Sequence, residues 1–287
     1  MGTERIDGRT RLCAIIGDPV SHSLSPAMHN AAFKAQDLNI FYAAFNVNRN
    51  GLGAAVSGAR EMNFLGFNVT IPHKVAVMDH LDDIDEKALM IGSVNTVVNR
   101  DGELKGYNTD SAGLIDALES GGAVLNSDCR ALILGSGGSG RTAGFALAGK
   151  GLDLVIMNRT AQKAEDLAKA LSKVTDVEAV GPNAREEQLK DISIVVNCTP
   201  VGMTGGPPGS PLRKELIQKE MVVMDMVYAP MSTPLISLAL DKGARVVHGY
   251  RMLVGQGAAS YEIWTGRKAP RDLMERTVIE LLGGGTG

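Results

Sequence analysis

The chain has 287 residues, 29 Lys plus Arg against 32 Asp plus Glu, and a formal net charge of -3. That length suits about two domains with cores that need no metal or disulfide staples, and the charge balance excludes the polyelectrolyte footprint of a nucleic-acid binder. Hydrophobic residues at 44% and charged residues at 21% give an ordinary globular profile, and aromatics at 4% are too few for base-stacking platforms.

In chain order, the apolar run at 11–17 (RLCAIIG) reads as a strand. Ser25–Pro26 then opens a helix over 27–35, because Ser is a good N-cap and Pro a good first helical residue. Strands are expected at 39–47 and 62–70, and short helices at 73–80 and 84–90. Segments 93–99 and 103–107 flank Asp101–Gly102, a hairpin turn signal. A helix over 111–119 ends at Gly121–Gly122.

A second series starts near Cys129. It runs as strand 130–134, the sequence GSGGSG, helix 142–150, strand 152–157 and helix 161–172. Buried strands at 192–197, 221–226 and 245–247 complete it. Strands alternating with helices mean βαβ units and a parallel sheet. The Gly/Pro-rich loop at 202–211 lies inside this series. Helices at 252–264 and 271–282 follow, before a GGGTG tail expected to fray.

Cys13, Cys129 and Cys198 lie far apart without a CxxC pair, which argues against a disulfide framework and a zinc site. All three sit in apolar runs and read as buried inert thiols. No metal site is expected. No apolar run approaches the ~18 residues of a membrane span. The start, MGTERIDGRTR, has no apolar segment of a secretory signal, and Ile6 stands where a myristoylation motif wants Ser or Thr. A cytoplasmic protein is expected.

Gly135, Gly137 and Gly140 form GxGxxG after an apolar strand and before a helix, the context a dinucleotide site requires. A generic strand–turn–helix junction is the alternative, and this context disfavours it. The next strand ends in Asn158-Arg159-Thr160 without a carboxylate for a ribose diol. Arg159 can take a 2′-phosphate in bidentate fashion, and Lys163 adds a second charge. This points to NADP, unless Arg159 is only a solvated loop residue.

Ser23 and Ser25 put two hydroxyls ahead of a helix, suited to a carboxylate, although Ser25 can be a plain N-cap. Asn68 and Thr70 alternate at a strand end. Lys74 follows Pro72, where a lone lysine is usually a solvated charge. Asn95 lies in the strand SVNTVV, where an amide needs partners. Asp110 precedes a helix and can be its N-cap.

GDPVSHSLSP, NVTIPHK, GSVNT, GYNTD, LGSGGSG, NRT, NCTPVGM and GYRMLVGQG, in this order, resemble the shikimate dehydrogenase family from about Leu12 to Trp264. The resemblance implies reversible reduction of 3-dehydroshikimate to shikimate with NADPH. It implies that Ser23 and Ser25 bind the substrate carboxylate, and that Asn68, Thr70, Asn95 and Gln256 contact the acid or the ring hydroxyls. Lys74 matches the catalytic lysine, Asp110 its carboxylate partner, and Tyr228 a substrate-side tyrosine. Gly135, Ser136, Gly137, Gly138 and Ser139 match the phosphate loop. Asn158, Arg159, Thr160 and Lys163 match the adenosine-phosphate clamp. Met226 and Gly249 match contacts near the nicotinamide, and Glu86 a cofactor position.

Two features depart from the family pattern. Lys163 stands where many members have arginine, which loses a bidentate fork. The helix after the glycines starts with Gly140 and Arg141 where small residues are usual.

The expected fold is α/β with two domains. Residues 1–110 plus 250–287 form an α/β substrate-binding domain, and 111–249 a Rossmann-type doubly wound NADP-binding domain, with the active site in the cleft between them. Expected partners are small molecules, not nucleic acid or membrane, and a homodimer follows from family analogy. An enzyme that also oxidises quinate and a non-catalytic sensor of NADP and a cyclic acid stay open as alternatives.

Overall fold

Residues 6–283 are described in the computed structural model. The first five residues, and residues 284–287 of the expected tail, lie outside the described residues. The chain divides into two units: residues up to Asp110 together with those from Val254 on, and Ser111–Leu253.

The first unit is built on β1 (Arg11–Gly17), β2 (Ile40–Asn46), β3 (Gly66–Val69), β4 (Asp83–Ile84), β5 (Thr96–Arg100) and β6 (Glu103–Tyr107). Their sheet order is β2-β1-β3-β5-β6-β4. β1 runs parallel to β2 and β3, whereas β5 is antiparallel to β3 and β6. Asp101 (φ 54) and Gly102 (φ 91) make the hairpin turn the sequence signals, since both central residues take positive φ. Between strands come α1 (Ser25–Ala35), α2 (Leu52–Glu61) and α3 (Glu86–Ile91). Leu52, Val56 and Ala59 of α2 are buried with Ala14, Phe67, Val97 and Leu104 in one apolar core. The next helix, α4 (Thr109–Ser120), carries the chain into the second unit and ends on Gly122 at φ 83.

The second unit holds β7 (Arg130–Leu134), α5 (Gly138–Ala148), β8 (Asp153–Met157), α6 (Ala161–Leu171), β9 (Val177–Val180), β10 (Ile192–Asn197), β11 (Val222–Asp225), α7 (Pro234–Asp241) and β12 (Arg245–His248). Every pairing is parallel, in the order β12-β11-β10-β7-β8-β9. Counted within the unit this is the doubly wound order, which places β7 and β10 at the switch point where ligands bind. Leu132, Val155, Val195 and Val223 are fully or almost fully buried, as strands covered on both faces must be. α8 (Gly249–Thr265) and α9 (Arg271–Gly283) follow. In the first unit α9 packs on α1, and Trp264 of α8 donates its indole N–H to the Val97 carbonyl at 2.9 Å.

Several local expectations change. Ser25 is the first residue of α1, not its N-cap; Leu24 holds that position without a side-chain cap bond. Asp110 lies inside the first turn of α4 rather than before it. Asn95 precedes β5 instead of lying within it. The expected helix at 73–80 is a 3-10 turn over Ala76–His80. Helix α5 begins four residues before the expected start at 142, because Gly138 and Gly140 adopt helical backbone. The expected buried thiols reduce to Cys13, since Cys129 and Cys198 are half-buried.

α1 turns Ser25, Met28, His29, Ala32 and Phe33 inward. The His29 ring stacks on Tyr42 at 4.6 Å and lies against Trp264 at 5.4 Å. Both its nitrogens are buried without a hydrogen-bond partner. Burial therefore pushes its pKa down to about 3. The charged form is excluded from the fold but free in the unfolded chain, where His titrates near 6.5. Stability is then full above about pH 6.5 and falls as pH drops toward 3. Urea titrations between pH 6 and 4 should show the wild type losing up to about 1.4 kcal/mol per pH unit more than His29→Leu. Equal slopes would mean that His29 is solvated in the fold.

Candidate active site

Strand ends in the first unit deliver the polar groups. After β3, Thr70 donates its backbone N–H to Ile16 and accepts from the His73 N–H, both at 2.9 Å. The buried His73 ring meets the Val47 carbonyl at 2.6 Å, and the Lys74 carbonyl accepts from the Val94 N–H at 2.8 Å. These bonds fix the backbone under Lys74. Its ammonium reaches Asp110 Oδ2 at 2.6 Å, with side chains 28% and 12% exposed.

The other Asp110 oxygen accepts from Asn95 Nδ2 at 2.8 Å. The Thr109 backbone N–H donates to Asn95 Oδ1 at 2.7 Å and needs an oxygen there, which favours this orientation of the amide. Gln256, on α8, brings Oε1 to 3.5 Å from Asn95 Nδ2. Lys74, Asn95, Asp110 and Gln256 thus form one cluster.

Asn68, expected as a substrate contact, is bonded within the first unit. It is 4% exposed. Its Oδ1 accepts from the Tyr42 hydroxyl at 2.7 Å, and its Nδ2 faces Asn95 O, Thr96 Oγ1 and Ser260 Oγ at 3.0–3.1 Å. Its polar atoms are taken up by protein. Ser25, buried, is hydrogen-bonded to Tyr42. Ser23 is half-buried, and its Oγ accepts from the Ser25 N–H at 3.3 Å. A continuous set of hydrogen bonds therefore runs from Ser25 through Tyr42, Asn68 and Asn95 to Asp110 and Lys74. Glu86 is exposed at the start of α3 and is not part of that set.

Tyr42, Thr96, Thr109 and Ser260 belong to this network and escape a reading of the sequence. One signal was available: Gln256 and Ser260 are four apart on α8 and so share a face.

In the second unit Gly135 takes φ 101, a conformation side chains resist. A Cβ at Gly140 would collide with the Gly135 carbonyl, so the third glycine lets α5 sit on the loop. A methyl at Gly137 or Gly138 would meet no atom within 4 Å. Ser136 Oγ is buried without a partner, and Ser139 is exposed at the start of α5. Backbone N–H groups opening a helix beside an unsatisfied hydroxyl fit a phosphate group. Asn158 Nδ2 closes the turn after β8 on the Thr160 carbonyl at 3.0 Å. Arg159, Thr160 and Lys163 are exposed, and among the described residues neither cation is in an ion pair. The loop thus offers two free positive charges and no carboxylate, which fits a phosphate on the ribose rather than a bare diol.

Past β11, a Cβ on Gly249 would lie 2.6 Å from the Met226 carbonyl, so glycine is required for α8 to start there. Asp225 beneath is fully buried and accepts from Asn197, Thr233 and the Val227 N–H. Burial pushes its carboxyl up while these bonds pull it back. Tyr228 is half-buried, and desolvation raises its phenol. Glu86 lies in the first unit, and the glycine loop, Asn158–Lys163, Met226, Tyr228 and Gly249 in the second.

Residues 15–97 match the shikimate dehydrogenase substrate binding domain, 122–202 match shikimate / quinate 5-dehydrogenase, and 249–279 match the shikimate 5'-dehydrogenase C-terminal domain. The NADP(+) shikimate dehydrogenase of Moorella thermoacetica is 41% identical over 288 residues, covering 99% of this chain and 97% of the relative. That of Symbiobacterium thermophilum is 44% identical over 285 residues, covering 96% of each. The crystal structure of shikimate 5-dehydrogenase from Thermus thermophilus, in complex with NADP(H) and shikimate, is similar with a TM-score of 0.85. It is 37% identical, and the match covers 94% of this chain and 99% of that one. With three matched segments and full-length relatives above two-fifths identity, the chain belongs to the shikimate dehydrogenase family.

Proposed function

We propose that the protein interconverts 3-dehydroshikimate and shikimate with NADPH and NADP. The observation that carries the chemistry is the Lys74 ammonium 2.6 Å from Asp110, with the second carboxylate oxygen held by Asn95. When bound, NADPH supplies the hydride that reduces the substrate carbonyl carbon. The oxygen left on that carbon then needs a proton, and Lys74 Nζ supplies it. Asp110 keeps the ammonium in place and accepts a hydrogen bond from the same hydroxyl. In the reverse direction the hydroxyl proton passes to a neutral Lys74 or to water.

The remaining residues take supporting parts in this reading. Ser23 and Ser25 hold the substrate carboxylate with neutral donors, while Thr70, Asn95, Gln256 and Tyr228 bind the rest of the ring. Gly135 to Ser139 cradle the pyrophosphate at the start of α5, and Arg159 and Lys163 take the 2′-phosphate. Met226 and Gly249 shape the nicotinamide end. Asn68 supports the site from behind, because its hydrogen-bonding atoms are engaged.

Among the described residues no helix is long and apolar enough to cross a membrane. A cytoplasmic location belongs to the same reading, and a homodimer rests on family analogy. Quinate is a second candidate substrate, because the family matched at 122–202 is described for both acids. A sensor is disfavoured, since it has no use for a lysine held on a carboxylate.

Three measurements test this reading. First, Arg159→Ala should raise the NADP KM by roughly ten- to hundred-fold, the worth of a charge-assisted contact of ~1.5–3 kcal/mol, and leave the NAD KM nearly unchanged. Equal use of NAD and NADP by the wild type would contradict the clamp. Second, Ser23→Ala and Ser25→Ala should weaken shikimate binding more than they lower kcat, because the carboxylate does not react. If shikimate methyl ester binds as well as the acid, the serines are not a carboxylate site. Third, Lys74→Ala should lower kcat by about 10²–10⁴ with NADP binding intact. Asp110→Asn should fold normally and lose most turnover, and the double variant should cost less than the sum of the two. Full additivity would mean that the two residues do not act as one unit.

A further inference from the structure

Three hydroxyls form a triangle behind the lysine–aspartate pair. Thr96 Oγ1 lies 2.8 Å from Ser260 Oγ and 3.0 Å from Thr109 Oγ1, and the last two are 3.1 Å apart. Thr96 and Ser260 are 0% exposed and Thr109 is 3% exposed, so no solvent completes their bonding. They come from three separate elements, β5, the start of α4 and α8.

Counting protons shows what the triangle does. Each hydroxyl has one proton to give. Ser260 Oγ can give its proton to the Gln256 carbonyl, 3.0 Å away on its own helix, or to Thr96 Oγ1 at the shorter distance of 2.8 Å. When it donates to Thr96, the Thr96 proton is left for Asn95, and Ser260 accepts from Asn68 Nδ2. Thr96 brings Oγ1 to 3.2 Å from Asn95 Oδ1, the same oxygen that takes the Thr109 N–H, while Thr109 Oγ1 lies nearer Asn95 Nδ2, at 3.0 Å, as an acceptor. Donors thus converge on one end of the Asn95 amide. The other end is forced toward Asp110, where Nδ2 occupies Oδ1 and leaves Oδ2 for Lys74.

We propose that Thr96 and Ser260 are positioning residues for the Lys74–Asp110 pair: the Thr96 hydroxyl, held in turn by Ser260, joins the Thr109 N–H on Asn95 Oδ1 and keeps the amide in the orientation that aims the Asp110 carboxylate at the lysine. This rests on the reaction proposed above. Neither hydroxyl touches Lys74 or Asp110. They act through Asn95, and Asn68 keeps them supplied with a donor from the Tyr42 side. Buried networks of this kind specify geometry more than they add stability, because each unmet group is costly only when it is stranded.

The test uses the full-length protein with shikimate and NADP. Thr96→Val keeps shape and removes the hydroxyl, Thr96→Ser keeps the hydroxyl and removes the methyl, and Ser260→Ala removes one oxygen from a helix. Thr96→Val and Ser260→Ala should each lower kcat by about tenfold, leave the NADP KM unchanged and displace a limb of the kcat–pH profile. Thr96→Ser should recover at least half of wild-type kcat with the wild-type profile. Thermal melts identify any variant that loses kcat by unfolding, and Ser260→Ala then decides the matter if Thr96→Val fails to fold. Near-wild-type kcat in the folded hydroxyl-free variants, equal losses in Thr96→Val and Thr96→Ser, or a lower kcat on an unmoved pH profile would overturn the positioning role. A wild type without shikimate turnover would instead overturn the reaction, and this proposal with it.

Discussion

The first unit is organised around an ion pair whose partners are 36 residues apart in sequence and 2.6 Å apart in space. Its purpose is not stability. A partly exposed pair of this sort contributes about 0–1 kcal/mol, and the fold expends several buried polar groups to hold it. Asp110 has each oxygen assigned, one to Lys74 and one to Asn95. Asn95 in turn is oriented by Thr109, and Lys74 is anchored through its own carbonyl and the buried His73. A carboxylate committed in this way holds an ammonium at a fixed point. That is the requirement for delivering a proton to one oxygen of a substrate.

The second unit solves a separate problem, that of bringing backbone close to a phosphate. Its parallel strands end together, and the turn after β7 needs a positive φ at Gly135 and no side chain at Gly140. Asp225 ties the ends of β10 and β11 to the start of α7 by three hydrogen bonds. The tight passage of Gly249 over Met226 depends on that arrangement. Here the chemistry is left to the cofactor, and the protein contributes a shaped, hydrogen-bonding edge.

Much of this architecture is legible in the sequence, for identifiable reasons. Short apolar runs such as 130–134 and 192–197, set between helical stretches, read as strands of a covered parallel sheet, and the structure pairs them side by side. The motif order identifies the family because each motif combines turn chemistry with functional side chains. Helix α2 is hidden because three glycines in and beside it blur its pattern, and packing rather than propensity holds it. The edge strand β9 has only four residues, too few to show a period. Ser25 and Asp110 look like helix caps because the boundary of a helix is decided by backbone dihedrals, which residue type only biases. Local sequence could not show which groups Asn68 bonds, since its partners Tyr42, Thr96 and Ser260 arrive from distant segments. The same distance hides the hydroxyl triangle, which exists only once β5, α4 and α8 are assembled.

The central claim is that the carboxylate of Asp110, acting on Lys74, drives proton delivery at the reacting oxygen. It is tested most directly by the single-turnover rate of NADPH consumption when 3-dehydroshikimate is mixed with protein saturated with NADPH, wild type beside Asp110→Asn, with shikimate affinity measured by calorimetry on the same samples. The account predicts a rate at least about a hundredfold slower in the variant, the scale of a positioned proton-transfer group, with shikimate still bound. Equal single-turnover rates at equal occupancy would contradict it.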